Sequence, residues 1–286
     1  MKYGFLIPGG DVRNFGKFAA AVEAAGWDGA FVADALAIGM GGKSFPWFDP
    51  WVALAAMAVA TERIKLGTFI TAVPRRRPWK LAREVGTLDQ LSSGRVVLSV
   101  GLGAAADDGG FCKVGESMEL KTRAELLDEG LAIINGLWKG KPYSFKGNHY
   151  QVDKLELQPR PVQKPRVPIW VIGVWPKEKS MQRALRWDGV IPQAYGLDMA
   201  DWAEYAKKRY AADIRAIRDY VAEHHRKPAK FDIVVQGFSS GKNLKRAREA
   251  VKPLEEAGAT WYMENLWSFD EKAILARIKQ GPPRSE

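Results

Sequence analysis

Eight times along the chain a short, nearly unbroken apolar run gives way to a stretch with helical spacing, and this alternation leaves few folds open. The runs are KYGFLI (2–7), GAFVA (29–33), IKLGTFITA (64–72), VVLSVGLG (96–103), PIWVIG (168–173), GVIPQA (189–194), FDIVVQG (231–237) and TWYMEN (260–265). They are continuous rather than alternating, as expected of parallel strands covered on both faces. Helical spacing follows each of them: from Asp11 to Gly26, then over 49–61, 78–91, 118–138, 177–186, 198–225, 243–257 and 268–279. Strand then helix, eight times, predicts an α/β fold, a single eight-stranded βα (TIM) barrel over residues 1–286, a length in keeping with the roughly 250 residues typical of that fold. An open doubly wound sheet is the runner-up, without a clear nucleotide-binding half to support it.

A weak internal echo favours the barrel. AAGWDGAFV (24–32) and LRWDGVI (185–191) carry Trp-Asp-Gly between helix and strand, and LEEAGATWYM (254–263) makes the same turn. One segment breaks the rhythm: residues 139–167, between the fourth helix and the fifth strand, hold a Gly-Asn turn between aromatic stretches and then a proline-rich run. A helix-to-strand connection places this insertion on the face away from the active site.

Barrel enzymes react on the loops that leave the C-terminal ends of their strands, so position alone sorts the candidates. His149 falls in the helix-to-strand insertion, and His224 and His225 end the long helix before the seventh strand, away from the rim, which argues against histidine or metal chemistry. The rim receives Pro8 to Asp11, Asp34, Thr68 to Arg77, Gly101, Gly103, Asp107, Asp108, Cys112, Gly173 to Lys177, Gln193 to Tyr195, Gln236 to Lys242 and Glu264 to Trp267. It is rich in glycine, aromatics and cations and poor in acid and base pairs, a lining that suits a planar cofactor better than hydrolysis. Arg75, Arg76 and Arg77 bring cations to the rim, where an anionic ligand docks or where Glu84 and Asp89 pair with them. Gly173-Val174-Trp175-Pro176-Lys177 opens a helix and offers backbone N–H groups to a phosphate, and Gly101 and Gly103 permit close approach to a ligand ring.

The net charge of +10 raises nucleic-acid binding, but the cations are spread along the chain and no recognised motif appears. No apolar run reaches the roughly 18 residues of a membrane span, and the first residues lack a signal-peptide pattern. Cys112 is the only cysteine, so a cytoplasmic, reduced setting is expected.

At this level the sequence resembles the luciferase-like monooxygenase superfamily. EAAGWDGAFVAD, TERIKLGT, PRRRPWKLAREVGTLDQLSSGRVVLSVGLG, RAELLDEGLAIINGLWKG, KGNHY, PVQKPRVPIWVIG and RALRWDGVIP follow the family order to about residue 195. The resemblance implies a barrel, usually a homodimer, that binds the deazaflavin F420 or FMN in its mouth and acts on a small-molecule substrate. It further implies that Asp34 lies near the cofactor ring, that Thr68, Phe69, Ile70 and Thr71 form a bulge with a non-prolyl cis peptide, and that Gly173, Val174, Trp175 and Lys177 receive the phosphate. Arg76 is the expected partner of an anionic cofactor tail. Ala35 and Ala104 stand where deazaflavin-dependent sugar-phosphate dehydrogenases have histidine and glutamate, so the acid/base pair for alcohol oxidation is missing and the catalytic residues stay unassigned. The leading expectation is hydride transfer with F420, slightly preferred to FMN. The alternatives are a two-component FMN monooxygenase fed by a separate flavin reductase and a flavin-binding protein without catalysis.

Overall fold

The computed structural model describes residues 1–284 apart from 37–38, 41–42, 104–110, 198, 240–242 and 267. Its strands are β1 (Lys2–Ile7), β2 (Gly29–Val32), the short pair β3 (Gly39–Met40) and β4 (Lys43–Ser44), β5 (Lys65–Ala72), β6 (Val96–Gly101), the hairpin β7 (Tyr143–Lys146) and β8 (Gln151–Leu155), then β9 (Ile169–Trp175), β10 (Gly189–Ala194), β11 (Asp232–Gly237) and β12 (Trp261–Asn265). The helices are α1 (Phe15–Ala24), α2 (Pro50–Val59), α3 (Pro78–Leu91), α4 (Leu120–Leu137), α5 (Glu178–Ala184), α6 (Trp202–Lys208), α7 (Tyr210–His224), α8 (Leu244–Glu256) and α9 (Glu271–Lys279). Eight strands close a barrel in the order β1-β12-β11-β10-β9-β6-β5-β2, and each neighbouring pair is parallel.

The apolar runs are continuous because their residues serve two cores. Phe31, Phe69, Trp170, Trp261 and Met263 fill the barrel interior, where Phe31 stacks on Trp170 at 5.8 Å. The alternate residues, such as Phe5, Leu66, Leu98 and Ile169, pack outward against the helices. Gly67 has no room for a side chain: a Cβ there would lie 2.2 Å from the Val97 carbonyl oxygen across the ladder. Helix α2 starts where the sequence dictates, with Asp49 accepting from the Trp51 and Val52 amides at 2.9 and 3.1 Å and Pro50 at the first helical position.

The Trp-Asp-Gly echo has a physical cause. Asp28 Oδ2 accepts from the Tyr3 amide at 2.7 Å, and Asp188 Oδ2 from the Ile169 amide at 2.8 Å. In the third copy Thr260 Oγ1 accepts from the Ile233 amide at 3.0 Å. In all three units the side chain just before a strand closes the open end of the preceding one, at the barrel floor.

Two expectations change. The helix read over 198–225 is broken at Arg209 into α6 and α7, and the break lets Tyr205 and Tyr210 both turn inward, with their rings 5.4 Å apart. The insertion also does more than cover the floor. Its proline-rich part is tied there, with Asp89 accepting from the Val162 and Gln163 amides at 2.7 and 3.0 Å. The β7–β8 tip instead climbs along α4: Glu129 accepts from the Asn148, His149 and Tyr150 amides, and Tyr150 meets Trp79, in the first turn of α3, at 6.1 Å. Among the described residues no helix is long and apolar enough to cross a membrane.

Candidate active site

A cavity of about 400 Å³ lies at the C-terminal ends of the barrel strands. Strand β5 shapes one wall. Its register against β6 shifts between Thr68 and Thr71, the Phe69–Ile70 peptide is cis, and the Thr71 hydroxyl donates to Thr68 Oγ1 at 2.8 Å. The irregularity brings Phe69, Ile70 and Thr71 to the cavity together. A regular strand would turn alternate residues to opposite faces.

Beside that wall sits Asp34, at the end of β2. Arg76 reaches it through Nη2 at 2.6 Å from Oδ1 and Nε at 3.2 Å from Oδ2. Arg75 donates from Nη2 to the Asp34 carbonyl at 2.9 Å and to Oδ1 at 3.2 Å. Burial opposes the charge on Arg76, but the field and hydrogen bonds of Asp34 outweigh it and raise the arginine's pKa. The expected partners Glu84 and Asp89 are engaged elsewhere, Glu84 with Lys80 and Asp89 with the insertion, and two of the three arginines instead pair with a buried carboxylate just after β2. Arg75 borders the cavity and Arg76 lies behind it.

The β6 wall is held by a second basic group. Arg123, on α4, donates from Nη1 to the Leu102 and Gly103 carbonyls at 3.2 and 2.6 Å. Phe111 lies between Arg75 and Arg123, with each guanidinium carbon within 5.6 Å of its ring centre, where the ring's negative face attracts a cation. Gly103 adopts φ +78°, and a Cβ there would come within 2.6 Å of the Phe111 ring.

On the far side, the Val174 amide donates to Ser180 Oγ at 2.9 Å, and Arg183 binds Asp128 through two nitrogens at 2.8 and 3.0 Å. Ser180 and Arg183 both border the cavity.

The expected site residues therefore divide. Asp34, Phe69, Ile70, Thr71, Gly101, Gly103 and Val174 border the cavity; Thr68, Gly173, Trp175, Lys177 and Arg76 do not. Thr68 is buried between strands, and Gly173 faces outward, where a Cβ would meet Val190 at 2.4 Å. Trp175 packs on Tyr220, and the Lys177 ammonium sits 3.6 Å from the Tyr195 ring centre. Glu264 also turns outward, to Arg277 Nη2 at 2.9 Å, and burial raises its pKa against the opposing effect of that arginine. Cys112 is exposed, and both it and the three histidines lie off the cavity wall; His149 pairs with Glu125 at 2.9 Å. Ala104, Asp107, Asp108 and Lys242 lie outside the described residues. Sequence reading did not assign Trp47, Leu120, Leu127 and Arg183 to the site; they border the cavity from loop and helix positions, and although Leu127 and Arg183 fall in family-like stretches, nothing there singles them out.

The sequence profile of the luciferase-like monooxygenase family matches residues 3–274. An F420-dependent glucose-6-phosphate dehydrogenase of Microbacterium testaceum is 36% identical over 164 residues, 56% of this chain and 46% of that enzyme, so the match spans about half the length of this curated relative. The coenzyme F420 dependent tetrahydromethanopterin reductase of Methanopyrus kandleri superposes with a TM-score of 0.76 at 16% identity, covering 98% of each chain. The monooxygenase RslO1 of Streptomyces bottropensis does so with a TM-score of 0.74 at 18% identity, over 98% of this chain and 97% of that one. At these identities the two structures speak for the fold.

Proposed function

The chain belongs to the luciferase-like monooxygenase family, and from that premise we propose that it is an oxidoreductase that holds F420, or less favourably FMN, at the barrel mouth and exchanges hydride with a small organic substrate. The observation that carries this reading is the β5 irregularity, which turns three consecutive residues, Phe69 to Thr71, toward one cavity. The remaining walls suit a planar ring: Leu102, Ile172 and Val174 offer apolar contact, and Thr71, Ser180 and Gln193 supply a few polar groups. When bound, the cofactor supplies or accepts the hydride. Ser180 and Arg183, just beyond the Gly173 to Lys177 loop, are the groups we assign to its phosphate side. The preference for F420 rests on the 36% identical dehydrogenase.

Asp34 positions rather than transfers protons in this scheme, because both its carboxylate oxygens accept from arginine. Ala35 beside it brings no titratable group. Reduction of an activated double bond therefore fits these residues better than oxidation of an alcohol.

The test is titration of purified protein with F420 and with FMN, followed by cofactor fluorescence. Saturable F420 binding, weakened up to about tenfold in an Arg183→Ala protein as for a partly exposed ion contact, is the expected result. Binding of neither cofactor overturns the proposal. Oxygen consumption with reduced FMN and a separate reductase would move the assignment to the two-component monooxygenase.

The same family premise carries a homodimer, and α2 is its best surface. Trp51, Leu54 and Met57 face the barrel, yet the outward Val52 and Val59 are 65% and 71% exposed, so the helix is apolar on both sides.

A further inference from the structure

The cavity opens onto apolar side chains. Leu120 borders it and is 64% exposed, and Leu36, next in the chain to the bordering Ala35, is also exposed. Large apolar groups gathered at the mouth of a concave site mark what the site receives. Across the cavity stands an aromatic wall. Trp47 borders it and meets the Phe269 ring edge-on at 5.6 Å, and Phe269 stacks on Phe45 at 4.9 Å. Three rings from the loops after β2 and β12 so brace one another behind a single apolar surface.

Among the described residues that border the cavity the cations are Arg75 and Arg183. Each is bonded to a carboxylate that also holds a second arginine, Asp34 with Arg76 and Asp128 with Arg186. Each cluster, two guanidinium groups on one carboxylate, keeps a surplus positive charge, which we assign to the anionic cofactor, leaving the apolar wall for the substrate.

We propose, on the cofactor reading given above, that the substrate is a neutral molecule with an apolar ring or branched alkyl face laid against Trp47 and Leu120, and not a sugar phosphate. Titration calorimetry tests it with benzylideneacetone, a neutral aryl enone, and with glucose 6-phosphate, on protein with and without F420, at salt of about 0.05 and 0.5 M. The enone is expected to bind with a negative heat-capacity change and without loss of affinity at high salt, as apolar burial requires. Leu120→Asn, at an exposed position that tolerates a polar group, and Trp47→Ala should each weaken it at least fivefold. Tighter binding of glucose 6-phosphate that falls with salt and ignores Leu120→Asn overturns the inference. F420 binding without enone binding overturns the inference alone, whereas enone binding without any cofactor binding overturns the cofactor reading alone.

Discussion

Arg76 holds the Asp34 carboxylate in a two-point grip, Nη2 to Oδ1 at 2.6 Å and Nε to Oδ2 at 3.2 Å, with the Asp34 side chain only 2% exposed. Two residues 42 positions apart meet because β2 and β5 are neighbours in the barrel. Asp34→Asn keeps the shape and removes the charge that Arg75 and Arg76 are arranged around. Breaking a buried pair by removing one partner costs about 3 kcal/mol or more, since the other charge is left uncompensated. Urea unfolding of the variant should show that loss at neutral pH, and an unchanged midpoint would mean the arginines are satisfied elsewhere.

Acid stability has a separate anchor in Glu23. It lies on α1 and accepts from the amides of Glu62, Arg63 and Ile64 at 2.7 to 3.3 Å, closing the turn that leads into β5. Burial pushes its pKa up, but the three backbone donors, with the field of Arg63, prevail and the net shift is down. As pH falls, the unfolded chain therefore takes up this proton first. The stability Glu23 adds is complete above the usual carboxylate value of about 4.3 and drains away as pH falls through the lower, folded value. Glu23→Gln should thus cost roughly 2 kcal/mol at pH 7, and its difference from the parent should shrink below about pH 4. A difference that stays constant from pH 7 to pH 3 would mean the carboxylate charge does not matter.

These contacts also show what a sequence can and cannot reveal. The strands were legible because burial on both faces forces continuous apolar runs, and the Trp-Asp-Gly echo was legible because one backbone need recurs at the barrel floor. The break at Arg209 left only a faint trace: the buried positions Tyr205 and Tyr210 are five apart, where a continuous helix would place them three or four apart. The arginine partner was unreadable, since an ion pair between two loops depends on closure of the sheet. Leu120 and Leu127 look like ordinary helix residues, and only the overhang of α4 at the mouth brings them to the cavity.

The outward face of α2 predicts a dimer. Val52 and Val59 lie seven residues apart, two turns along one side of the helix, and both are largely exposed in the monomer. If a second copy covers them, Val59→Lys should shift the protein toward monomer in light scattering with little change in monomer stability, because a lysine at an exposed helix position is well tolerated. A parent protein that is monomeric at micromolar concentration would refute the assignment of this surface.

Gly103 gives the sharpest test of how the cavity wall is built. Its φ of +78° is costly for any residue with a Cβ, and that atom would come within 2.6 Å of Phe111 and 2.9 Å of Ala72. Phe111 has little room to retreat, because it is buried and flanked by the guanidinium groups of Arg75 and Arg123. Gly103→Ala should therefore cost about 1–2 kcal/mol from backbone conformation alone. It should also move Phe111 and, through it, the two arginines that face Asp34 and the Leu102 and Gly103 carbonyls. Cofactor affinity is then expected to fall by more than tenfold, a larger change than the stability loss would cause in a protein that remains folded. Thermal unfolding and a cofactor titration on the same sample separate the two effects. A variant that loses stability while binding cofactor as tightly as the parent would show that the β6 wall, despite bordering the cavity, does not contact the cofactor.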